Sequence, residues 1–195
     1  SVDEPKLLDC WPADFRITAT YRFEQGGLSS VFQIESSGDQ PLPFGFGTHP
    51  YFRVPLGGAS ADACRVVLPA SSRWELSDML PTGKPLPLDD VEQYHAGLAF
   101  GEMAFDDVFR DLQFEDDRCT FRIIDPGSRR RLDIEFDRSF RECVVYNPSH
   151  RQAVCIEPYT CVPNAMELKE QGIDSGLRIL APGQSVQVQI TTRYS

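Results

Sequence analysis

Two side chains in this sequence are of the types that move protons, and each stands in a setting that concentrates other useful groups. His49, one of three histidines, lies in PFGFGTHPYF (Pro43 to Phe52), with glycines on one side and Pro50, Tyr51 and Phe52 on the other. Glycines let a backbone approach a ligand closely, and aromatic rings cover the apolar face of a sugar or another flat molecule. The local sequence leaves two readings of His49 open, a packed hydrogen-bonded ring and an acid–base group. Glu157 ends the apolar run Ala153 to Ile156 in AVCIEPYTCVPNA. A carboxylate is costly to bury unless it is paired, and burial would raise its pKa toward the range of a general base. The plain alternative is a glutamate on the rim at a strand end. A third candidate is the acidic pair Asp106 and Asp107 in FDDVF, although adjacent acids commonly form an Asx-type turn or face water. His95 and His150 lie in polar segments and read as structural or solvated.

The elements that must position these groups are strands. In FRITATYRF, residues Phe15, Ile17, Ala19, Tyr21 and Phe23 alternate with Arg16, Thr18, Thr20 and Arg22, the pattern of a half-buried strand. A turn at Gln25, Gly26 and Gly27 and a second run from Leu28 to Glu35 predict a hairpin. Alternation returns at Leu132, Ile134 and Phe136 and at Val186, Val188 and Ile190, while the runs 65–68, 143–146 and 153–156 read as more deeply buried strands. Helical periodicity is confined to short pieces around 90–96 and 164–171. Strands at this spacing, joined by Pro, Gly, Asp and Ser turns, predict an all-β antiparallel sandwich or barrel forming a single domain over 1–195.

Composition narrows the function. The chain has 195 residues and a net charge of −10, which argues against a nucleic-acid partner, since phosphate binding draws on clustered Lys and Arg. The one basic run, Arg129 to Arg131, is followed at once by Asp133, Glu135 and Asp137 and reads as a solvated turn. No apolar run is long enough for a membrane helix, and nothing suggests a membrane surface. Six cysteines at 10, 64, 119, 143, 155 and 161 include no C-x-x-C and no zinc-type spacing, so no metal site is expected from spacing. They read as reduced thiols in a cytoplasmic protein. Nucleophile-elbow, Walker and dinucleotide motifs are missing.

Taken together, FRITATYRF…LSSVFQIES, PLPFGFGTHPYF, WELSDMLPTGKPL, FDDVF, VVYNPSHRQAVCIEPYTCVPNA and LAPGQSV resemble the aldose 1-epimerase (galactose mutarotase-like) family over nearly the whole chain. The specific part is the combination, a T-H-P-Y-F-like segment followed about a hundred residues later by an E-P-x-T-like one. The resemblance implies a galactose mutarotase-like supersandwich that needs no cofactor and interconverts the α and β anomers of a hexose such as galactose or glucose. It implies His49 as general acid, Glu157 as general base and Asp106, aligned on Phe109, as the contact to sugar hydroxyls, with Asp107 the alternative. Tyr51 and Phe52 become expected walls of the sugar pocket. Asn164 stands where many relatives have Asp. The resemblance further implies the carboxy-terminal two-thirds of the usual chain, without the amino-terminal strands and the arginine and second histidine they carry. Sheet edges left open in this way would favour a homo-oligomer or a separate amino-terminal segment as partner. Two other functions are weighed beside this one. A hexose-phosphate 1-epimerase would need basic residues at the pocket mouth, for which Arg53 is the candidate. A non-catalytic carbohydrate-binding sandwich would keep the site residues without turnover.

Overall fold

The computed structural model describes residues 11, 13–24 and 26–195, so Cys10 and Gln25 lie outside the described residues. The chain starts with the expected hairpin, β1 (Phe15–Glu24) and β2 (Gly27–Ser36), paired without a register slip from Phe15↔Ser36 to Glu24↔Gly27. Gly26 in its turn has φ +77°, a left-handed conformation that glycine adopts without steric cost. There follow β3 (Leu42–Phe44), β4 (Tyr51–Arg53), β5 (Arg65–Val67), β6 (Ala70–Ser77), β7 (Leu80–Pro87), α1 (Val91–Ala96), β8 (Leu98–Ala99) and β9 (Asp106–Leu112). The carboxy-terminal half adds β10 (Arg118–Asp125), β11 (Arg130–Asp137), β12 (Glu142–Tyr146), β13 (Ala153–Tyr159), α2 (Ala165–Glu170), β14 (Arg178–Leu180) and β15 (Ser185–Tyr194). Both helices fall on the two short segments predicted from sequence. Neither is long and apolar enough to cross a membrane.

The strands form two large antiparallel sheets. The first has the order β1-β2-β15-β11-β10-β5-β8, the second β4-β13-β12-β9-β6-β7, and β14 pairs β3 in a small third ladder. The core between the large sheets takes one face of each. Ile34, Phe121, Ile123, Ile134, Phe136 and Val188 come from the first sheet; Phe109, Cys143, Val145, Val154 and Ile156 come from the second. Each large apolar side chain so buried contributes roughly 1.5–3 kcal/mol. Because strand side chains alternate, the same burial fixes what the second sheet shows on its other side. With Val154 and Ile156 in the core, Cys155, Glu157 and Tyr159 of β13 point outward. With Phe109 in the core, Asp106 and Val108 of β9 do the same. This outer face is partly roofed by α2 and the segment around it, where Trp74, Val108, Val162, Ala165 and Leu168 make a second, smaller cluster.

One expectation fails in β1. Its alternation predicted a half-buried strand, yet Phe15 alone is partly covered, while Ile17 is 49% exposed, Tyr21 60% and Phe23 87%. The reason is position: β1 is the outermost strand of its sheet, and the segment 42–46 reaches only its first residues, Phe15 and Ile17. Arg130 and Arg131 begin β11, and only Arg129, with φ +59°, belongs to the preceding turn.

Candidate active site

His49 and Glu157 meet on the outer face of the second sheet. Glu157 lies in β13 two residues before its end, 1% exposed, and its Oε1 is 3.2 Å from His49 Nδ1. The glutamate is therefore a buried carboxylate rather than a rim residue. Burial pushes its pKa up, opposed by a hydrogen bond from the Tyr159 hydroxyl and by the His49 charge, and reinforced by Asp106. Tyr159 donates to Oε2 at 2.8 Å. Its own pKa is raised by burial and by this carboxylate, so it stays a neutral donor. Oε1 has no hydrogen-bond partner among the described residues, because the His49 contact is close in distance without hydrogen-bond alignment.

His49 is held from two directions. Residues 45–47 run beside the end of β13, where the Phe46 N–H donates to the buried Thr160 hydroxyl at 2.8 Å and the Thr160 N–H donates back to the Phe46 carbonyl at 2.9 Å. On the far side, β4 pairs β13 with Tyr51 opposite Cys155. The imidazole, half exposed, stacks on Tyr51 with centroids 5.2 Å apart and planes 7° from parallel. The glycines of the motif serve packing here. A side chain at Gly45 would strike the Cys161 sulfur, and a Cβ at Gly47 would lie 2.6 Å from Tyr159 Cε1 and 3.1 Å from Cγ. Both glycines also line a cavity beside His49, so this packing against the two side chains that flank Thr160 comes in addition to the close approach to a ligand expected from sequence.

The acidic pair separates by alternation. Asp106 lines the cavity with His49 and Glu157, and partial desolvation and the neighbouring Asp107 raise its pKa. Asp107 points away and accepts from Arg73 Nη1 at 2.7 Å. The structure thus brings Asp106, not Asp107, to the site. Tyr51 is also there. Phe52 is not: between Tyr51 and Arg53 on a strand it turns to the opposite face and packs on the core. His95 places Nε2 3.1 Å from the Ala70 carbonyl oxygen, and exposed His150 accepts from the Gln152 N–H; neither joins the site.

The cavity in front of Glu157 has a volume of about 240 Å³, with Met79, Asp106, Tyr146 and Tyr159 among its walls. A second cavity of about 500 Å³ shares His49, Tyr159 and Pro163 with it. Tyr146, Tyr159, Thr160 and Met79 were missed in sequence. Tyr159 and Thr160 stand two and three residues after Glu157, and the period-2 rule would have placed Tyr159 on its face. Met79 reaches the cavity from the β6–β7 turn, where Asp78 and Met79 take φ values of +49° and +66°. Left-handed backbone outside glycine is uncommon and clusters at functional sites.

The site so built holds an imidazole, two carboxylates and aromatic walls, and the fold that carries it has known counterparts. A galactose mutarotase-like protein from Clostridium acetobutylicum shares the fold with a TM-score of 0.86 at 22% identity, over 97% of this chain and 59% of its own. For an aldose epimerase homologue from C. elegans the values are 0.75 and 18%, over 95% and 61%. For galactose 1-epimerase from Lactobacillus acidophilus they are 0.72 and 15%, over 95% and 58%. This chain therefore spans about three-fifths of the length of these proteins, and at such identities the likeness speaks to fold alone. The family model for aldose 1-epimerase matches residues 1–193, nearly the entire sequence, and the chain belongs to the aldose 1-epimerase family.

Proposed function

We propose that this chain carries the acid–base machinery of an aldose 1-epimerase and interconverts the α and β anomers of a hexose such as galactose or glucose. One observation carries the reading: a buried carboxylate with a free oxygen, 3.2 Å from a half-exposed imidazole, at the wall of a sugar-sized cavity. The two oxygens on the anomeric carbon sit closer together than that, so the pair can reach both at once. Glu157 Oε1 takes the proton of the C1 hydroxyl as the imidazolium of His49 gives its proton to the ring oxygen. The bond from C1 to the ring oxygen breaks, leaving an aldehyde and a hydroxyl. Rotation about C1–C2 turns the other face of the aldehyde toward the hydroxyl. Protonated Glu157 and neutral His49 then run the step in reverse. Tyr159 holds the second carboxylate oxygen and leaves Oε1 as the base. Asp106 accepts from sugar hydroxyls, and Tyr51 and Tyr146 supply apolar surface.

Polarimetry of freshly dissolved α-galactose and α-glucose tests this. The chain should accelerate mutarotation, and Glu157→Gln should lose about 10²–10⁴-fold of that rate with an unchanged circular dichroism spectrum. Sugar binding by calorimetry with no acceleration, or a Glu157→Gln variant as fast as the parent, would defeat the proposal.

A further inference from the structure

A third donor beside the acid–base pair is left unused by sugar chemistry. Cys155 precedes Glu157 by two residues on the same face of β13, and its thiol is fully buried. An imidazole nitrogen of His49, the Cys155 Sγ and a carboxylate oxygen of Glu157 all lie within 4.8 Å of one another. Ligand atoms of a tetrahedral zinc site, with bonds of about 2.0 Å to nitrogen and oxygen and about 2.3 Å to sulfur, stand roughly 3.3–3.5 Å apart. The His49–Glu157 separation of 3.2 Å already matches. The pairs that include sulfur need to contract by at most about 1.5 Å: turning of the half-exposed imidazole serves the His49–Cys155 pair, and the Cys155 and Glu157 side chains must close the distance between themselves. The second sign of a site is Glu157 Oε1 itself. It is a buried oxygen, on a side chain 2% exposed, that accepts no hydrogen bond among the described residues, and it faces His49 in this cluster while Tyr159 occupies Oε2. Sequence spacing gave no hint of the group, because pairing of β4 with β13 brings residue 49 to residues 155 and 157.

We infer that His49, Cys155 and Glu157 form a binding site for one borderline transition-metal dication, zinc above all, with its fourth position open to the cavity. Imidazole nitrogen, thiolate sulfur and carboxylate oxygen together favour zinc or cobalt over magnesium and calcium, which take oxygen ligands. Cys155 binds as the thiolate, so its proton leaves to solvent as the metal–sulfur bond forms. The consequence rests on the function proposed above: the metal occupies the lone pairs that would shuttle protons, and the loaded chain does not turn over. Zinc is then an inhibitor, and Cys155 is the residue that makes it a tight one.

Cobalt(II) titration of the chelator-treated protein, in a non-coordinating reductant, reads binding without reference to activity. A thiolate-to-cobalt charge-transfer band should grow to one equivalent and vanish when zinc is added. Cys155→Ala should abolish the band and weaken zinc binding by at least the roughly 10–100-fold that loss of a mere outer partner costs. Cys64→Ala, which removes a buried thiol just before β5 of the other sheet, should change neither. Cys155→Ser serves as the second variant where Ala disturbs the fold, and it too should lose the band. No band, or a band that survives both Cys155 variants, overturns the site. In the mutarotation assay zinc should inhibit, and Cys155→Ala should need about tenfold more of it or greater for equal inhibition. Band formation with undiminished mutarotation overturns the inhibitory role, while a chain without mutarotase activity sinks the proposed function and leaves the cobalt test standing.

Discussion

Gly47→Ala is the sharpest probe of how the site is assembled. A Cβ at residue 47 would lie 2.6 Å from Tyr159 Cε1. Carbon pairs prefer about 3.5–4.0 Å, so the ring must retreat by roughly 1 Å. The Tyr159 hydroxyl now sits 2.8 Å from Glu157 Oε2. Another ångström takes that contact past the length at which a hydrogen bond counts as one. Loss of a hydrogen bond to a charged group costs about 1.5–3 kcal/mol, and overpacking alone costs about 1–3 kcal/mol. The two overlap, because the ring's retreat relieves the clash as it breaks the bond, so about 2 kcal/mol is expected. For a chain of this size that lowers Tm by about 4–8 °C. The carboxylate loses its anchor as well, and a misplacement of about 1 Å at a catalytic group costs on the order of 10²-fold in rate. Thermal melts and polarimetry measure the two effects separately. The decisive control is Tyr159→Ala, which removes the obstacle: adding Gly47→Ala to it should cost less than about 0.5 kcal/mol, the limit for uncoupled sites. An equal penalty in both backgrounds would refute the reasoning, since something other than the Tyr159 ring would then forbid a side chain at Gly47.

Asp106→Asn should lower kcat/KM about tenfold by weakening a charged hydrogen bond to the sugar, with little change in Tm. Asp107→Asn should instead release Arg73 and cost about 1 kcal/mol of stability with catalysis intact; exchanged phenotypes would mean that Asp107 faces the sugar. A separate buried acid predicts a pH effect. Glu142 is 2% exposed and accepts from Trp74 Nε1 at 3.0 Å, and burial, only partly offset by that bond and by Arg110 and Arg141, pushes its pKa up from 4.5 to about 7. The folded state therefore holds this proton more tightly than the unfolded chain does. Its contribution to stability is full below pH 4.5 and is lost as pH rises to about 7, by up to about 3 kcal/mol. Glu142→Gln should gain on the parent steadily over that interval when unfolding is followed by tryptophan fluorescence or circular dichroism, and a constant difference between them would contradict the assignment.

Most of the architecture was legible because alternation is a local signal: the first hairpin, the buried runs and both short helices fell where expected. Burial was less legible. FRITATYRF carries the pattern of a covered strand, but coverage depends on what lies above β1, and alternation holds no information about that. The site divides along the same line. His49 and Glu157 could be named from two motifs, yet the apolar run before Glu157 did not reveal that β13 continues to Tyr159, which makes the glutamate an interior residue. Asp106 and Asp107 were indistinguishable as types, and opposite faces of β9 with Arg73 behind one of them tell them apart. Phe52 was an avoidable error, since strand alternation puts it on the face opposite Tyr51.

The glycines of PFGFGTHPYF show how a motif can point to a candidate site and be silent about how that site is assembled. Their spacing of two matches Tyr159 and Cys161, which are also two apart, so a bare edge of one segment receives two side chains of the other. Thr160, between them, closes the pair of hydrogen bonds to Phe46. That docking sets where the chain enters Thr48 and His49, and it brings the imidazole over Glu157. The two motifs are therefore halves of one packing unit, with the His49–Glu157 pair at its end. Substitutions at Gly45, Gly47 or Thr160 should behave as positioning changes, moving His49 relative to Glu157 without touching a sugar. The same unit brings His49 to Cys155, so any change that loosens it should weaken metal capture and proton transfer together, whereas Cys155 variants separate the two.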